Sequence, residues 1–89
     1  MAKTKFILNP NDVRALHVIA ADIRKNWPNP YFGAVPYINA MASLTTMQDK
    51  YFEDDARYIV TYFLGNAQTW RGEHAQRIKA ELKAMAGLK

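Results

Sequence analysis

An all-α fold is predicted: a compact orthogonal or bundle-like domain of about four helices behind a short extended N-terminal arm. Three observations predict it. Apolar residues recur at helical spacing in segments near 10–26, 36–46, 54–67 and 70–86. No stretch alternates convincingly with period two, and Lys3 to Leu8, read as the arm (1–8) or a short strand, has no partner strand elsewhere in the chain. Finally, 89 residues with 49% hydrophobic side chains suit one core and one domain, 1–89. A chain of this size buries roughly 60–65% of the surface its unfolded form exposes.

The first helix is expected from Asn9-Pro10, a cap followed by proline at the first helical position, where its missing N–H costs nothing. Asp12 suits the helix dipole there. Val13, Leu16, Ile19, Ala20, Ile23 and Trp27 form the inward stripe, Val18 is the one misplaced apolar group, and Pro28 ends the helix. The loop Trp27-Pro28-Asn29-Pro30-Tyr31-Phe32-Gly33 carries three large aromatics. Such rings either plug the end of a small core or form a recognition surface. The second helix starts near Pro36, with Tyr37, Ile38, Met41 and Leu44 inward, and Thr45 to Glu53 reads as a frayed turn or loop. Glu53-Asp54-Asp55 opens the third helix, whose stripe is Ala56, Ile59, Val60, Phe63, Ala67 and Trp70, with Tyr58 and Tyr62 one turn apart on the opposite side. In the last helix Ala75, Ile78, Leu82 and Met85 face inward, and Gly87 is the C-cap. Thr69-Trp70-Arg71-Gly72-Glu73 reads as a corner in which Thr69 caps and Trp70 plugs the core, or as a surface knob built from Trp70 and Arg71.

The chemistry-bearing residue types are sparse. Cysteine is absent, which excludes disulfides, thiolate metal sites and a cysteine nucleophile. Ser43, the only serine, has no histidine near it in sequence, and His17 and His74 alone do not make a zinc site. Asp49, Glu53, Asp54 and Asp55 lack the spacing of a calcium loop, and the four isolated glycines form no phosphate-binding loop. Neither an enzyme nor a cofactor or metal is therefore expected. With no 7–15-residue apolar run behind Lys3 and Lys5, no signal peptide is expected, and no window approaches the ~20 apolar residues of a membrane span. A cytoplasmic protein without membrane contact is the expectation.

A net charge of +4 and a pI near 9.5 raise nucleic-acid binding as an alternative, using Arg14, Arg24, Lys25, Arg71, Arg77, Lys79 and Lys83 of the first and last helices. The basic residues are scattered, however, and the longest run is Arg24-Lys25. A helix-turn-helix built from the third and fourth helices would present Arg71, His74, Arg77 and Glu81, but Glu73 and Glu81 would then face phosphates.

Two segments carry a resemblance: Tyr31-Phe32-Gly33-Ala34-Val35-Pro36-Tyr37 through Ala40-Met41, and Thr69-Trp70-Arg71-Gly72-Glu73 followed by Ala75, Ile78-Lys79 and Glu81-Leu82. Together, over residues 24–84, the chain resembles small proteins of unassigned activity encoded by tailed bacteriophages. That resemblance implies a host cytoplasm and a non-enzymatic modulator of a host or defence protein, and it carries no site residues. The leading expectation is thus a protein-binding module, with self-association as a further expectation, acting through Val18, Tyr31, Phe32, Tyr58, Tyr62, Trp70 and Arg71.

Overall fold

The computed structural model describes residues 13–88. Four α-helices are present there: α1 (Leu16–Asn26), α2 (Val35–Met41), α3 (Ala56–Gly65) and α4 (Glu73–Ala86). A 3-10 turn, Phe32–Ala34, leads into α2, and a two-stranded hairpin of β1 (Lys50–Tyr51) and β2 (Asp54–Asp55) precedes α3. Each helix packs chiefly on its neighbours in the chain, and α4 returns to α1, so the four helices close a ring around one core. The mostly-α architecture is as predicted. The expected arm, the Asn9-Pro10 cap and Asp12 lie outside the described residues.

Helix α1 starts at Leu16 rather than near Pro10, because residues 13–15 lie outside the helix and Ala15, extended, takes the N-cap position. Val13 is consequently exposed instead of inward. The first amides of a helix need partners outside it. Here the Leu16 and His17 N–H groups donate to the Thr45 and Leu44 carbonyls, both at 2.9 Å, so the loop after α2 caps α1. Leu16, Ile19, Ala20, Ile23 and Trp27 are buried as expected.

Helix α2 is shorter than the 36–46 expected, with Pro36 in its first turn. Beyond Met41 the Ser43 hydroxyl donates to the Ala40 carbonyl and the Asp49 carboxylate accepts from the Thr45 and Thr46 N–H groups, folding the chain into a turn. These donors, Thr45 N–H first, hold Asp49 below the usual carboxylate range. The next residues form the hairpin, with Lys50 opposite Asp55 and Tyr51 opposite Asp54. The expectation of a loop followed by a helix starting at 54 is corrected here: Asp54 and Asp55 are strand residues, and α3 begins at Ala56.

The α3 stripe is buried throughout, and Ala67 and Trp70 continue it past the end of the helix at Gly65. Helix α4 starts at Glu73 rather than near residue 70. Its N-cap is Gly72 at φ +109° and ψ −178°, a conformation essentially restricted to glycine. It ends on Gly87 in the left-handed region, as expected, with the Leu88 N–H reaching the Lys83 carbonyl at 2.8 Å.

Among the described residues no polar or charged side chain is buried. At the centre Trp27 and Trp70 stack with ring centroids 5.1 Å apart and planes 4° from parallel, and Phe63 meets Trp27 edge-on at 6.4 Å. Trp70 is 4% exposed, so it belongs to the core and is withdrawn as a protein-binding residue.

Candidate functional site

Tyr58 and Tyr62 stand four residues apart on α3, the spacing that puts two side chains on one face. Their rings stack at 5.7 Å with planes 9° apart, and Tyr37 of α2 stacks on Tyr62 at 5.8 Å and 25°. The result is a ladder of three phenol rings bridging two helices, and Tyr58 and Tyr62 remain 56% and 52% exposed. Offset stacking orders the rings against one another before any partner arrives.

Two shallow grooves flank the ladder. Tyr31, Gly65, Asn66, Gln68 and Thr69 line one of about 260 Å³ beyond the Tyr62 end. Asp55, Arg57, Tyr58, Thr61 and Leu88 line the other, about 280 Å³, at the Tyr58 end. Tyr31 lines the first groove, and its ring lies 4.8 Å from that of Phe32, which is 80% exposed. The loop aromatics thus divide: Trp27 is core, while Tyr31 and Phe32 face solvent. Val18 is exposed, but on α1, which packs against α2 and α4. Arg71 is exposed in the turn that precedes α4.

Two members of this aromatic surface are absent from the expected contact residues. Tyr37, expected inward, packs half-buried against the core and in addition stacks on Tyr62. Phe52, at the tip of the hairpin, is 86% exposed. Its φ of +58° is unusual for a bulky side chain. Tight hairpins of this kind carry glycine or asparagine at their tips, so Phe52-Glu53 gave no turn signal.

The basic residues proposed for nucleic acid are largely committed within the fold. Arg14 grips Glu81 with two bonds of 2.7 and 2.8 Å and donates a third, 3.0 Å long, to Asp22. The Glu81 bond holds the Arg14 guanidinium above the ordinary arginine range. Arg77 donates to Asp22 at 3.2 Å and also contacts the His74 ring. The α4 face that a helix-turn-helix would present is therefore joined to α1 and to Arg14. Arg24 bonds to Asn39, and the Lys79 ammonium donates to the Ala67 carbonyl at 2.7 Å. Burial, with Lys83 and Arg71 adding repulsion, lowers the Lys79 pKa. Lys25 and Lys83 are exposed.

Among the described residues no three histidine or acidic side chains are placed to hold a metal ion, and no helix is long and apolar enough to cross a membrane. Comparison with protein families, curated proteins and solved structures finds no match.

Proposed function

We propose that the chain is a non-enzymatic protein-binding module whose contact surface is the aromatic face of α2 and α3. The observation that carries this reading is the pre-stacked ladder Tyr37–Tyr62–Tyr58, whose Tyr58 and Tyr62 are exposed, together with the exposed pair Tyr31 and Phe32. Tyrosine supplies a large amphipathic contact area at small entropic cost, and aromatic side chains dominate binding hot spots. The resemblance to phage proteins suggests a bacterial host or defence protein as the partner.

Capture from bacterial lysate, with and without nuclease, tests the reading. The intact protein is expected to retain a discrete protein band that survives nuclease. Tyr58→Ala with Tyr62→Ala is expected to lose that band while keeping a cooperative melt, because exposed rings contribute little to folding. Equal bands from both proteins would overturn the proposal. The nucleic-acid alternative draws support from Lys25, Arg71 and Lys83, which are exposed. Its signature is nucleic acid that washes off with moderate salt.

A further inference from the structure

We infer that two copies of this chain pair by inserting the Phe52 tip of each hairpin into the groove between Tyr58 and Leu88 of the other. The inference rests on the reading of the α3 face as a protein-binding surface and assigns its Tyr58 end to a second copy. Three observations converge on it.

Phe52 is the most exposed large apolar side chain among the described residues, on a two-residue tip with φ at +58°. Both features are unfavourable in an isolated molecule: the ring stands in water, and a residue carrying a Cβ and a bulky side chain is disfavoured in the left-handed region. Tyr51 supports the ring from behind, with centroids 4.8 Å apart in a T-shaped arrangement, so the tip is braced outward.

The groove fits the ring in size and lining. Its volume of about 280 Å³ exceeds the roughly 150 Å³ that accommodates benzene in an engineered protein cavity. It falls short of the usual range for drug-sized ligands. Tyr58 and Leu88 supply apolar walls and Arg57 a cationic rim, while Thr61 and Asp55, the latter neutralised by Lys50, complete the lining.

Charge selects the occupant. Four of the eight acidic residues, Asp49, Glu53, Asp54 and Asp55, fall within one short segment, while the chain as a whole carries +4. Asp55 is paired with Lys50 at 3.5 Å, which leaves Glu53 and Asp54 exposed beside Phe52. Arg57 forms no ion pair among the described residues. An acidic tip on a basic chain complements another copy of that chain and repels nucleic acid and anionic lipid. The groove begins at Asp55, three residues beyond Phe52, so finger and socket lie side by side. A two-fold axis between them satisfies both at once, as an isologous dimer requires.

Sedimentation equilibrium of the full chain, from micromolar to submillimolar concentration, reads the association directly. A dimer is expected, and Phe52→Gly should weaken it by roughly 30-fold or more, the loss typical of a buried hot-spot aromatic. Glycine suits the left-handed backbone, so this variant should melt no lower than the parent under monomeric conditions. With benzoylphenylalanine at position 52, irradiation should give an adduct of twice the chain mass, joined to residues 55–61 or 88. A monomer throughout the range, a dimer indifferent to Phe52→Gly, or an adduct mapped elsewhere would overturn the pairing. None of these results bears on the lysate capture, whose failure would count against the aromatic face as a whole.

Discussion

Trp70 and Arg71 are adjacent in the chain, yet the Trp70 indole lies flat against Trp27 in the core while Arg71 projects into solvent. Truncating a buried tryptophan removes its transfer free energy and leaves a cavity, about 3–5 kcal/mol together. Small domains have only ~5–15 kcal/mol in total. Trp70→Ala is therefore expected to leave the chain close to unfolding, whereas Arg71→Ala should stay within about 0.5 kcal/mol of the parent. Urea melts of the two variants check this, and a Trp70→Ala protein as stable as Arg71→Ala would return Trp70 to the surface. Both residue types are frequent interface anchors, so composition alone leaves them equivalent. The plane of Trp27 separates them, and it arrives from the end of α1. Phe52 was harder still to read, because its exposure follows from a backbone conformation that its residue type disfavours.

Helix interiors follow from a local rule and helix ends do not. Every inward residue named for α3 and α4 is buried or half-buried, since a period of 3.6 depends only on the helix itself. The ends shift by up to several residues because no helix has a side-chain cap hydrogen bond at its N-cap. Helix α1 uses carbonyls of the loop after α2, and α4 uses the unusual backbone of Gly72. Gly72→Ala places a Cβ at φ +109°, and the open space around it does not relieve that backbone strain. A loss of about 1–3 kcal/mol is expected in thermal or urea unfolding. An unchanged midpoint would show that the α4 start has a second, unstrained solution. The hairpin went unseen for a related reason: two residue pairs are too few to show alternation.

Across the whole molecule, charge pairing sets which cations remain free, and pairing between residues distant in sequence is invisible in a composition. Arg14, Asp22, Arg77 and Glu81 form one network joining the segment before α1, α1 itself and α4. Burial pushes the Asp22 carboxyl up, but hydrogen bonds from Arg77 and Arg14 more than offset this, and its pKa falls below the ordinary 3.8. A carboxylate held lower in the folded than in the unfolded state contributes stability above the unfolded value and loses it as pH falls through the folded one. Wild-type stability should thus drop more steeply below about pH 4 than that of Asp22→Asn, as read from urea midpoints across the acid range. Parallel profiles would mean that the network contributes nothing in acid.

The ring closed by α4 on α1 also bears on how the chain assembles. Three of its four packings join helices consecutive in sequence, a topology of mostly local contacts that folds in microseconds to milliseconds. The fourth brings together Arg14 and Glu81, 67 residues apart, and so carries the largest loop-closure entropy. Its charges then act as a clasp on a structure that has already formed. Weakening that clasp should quicken unfolding and leave the refolding rate nearly untouched.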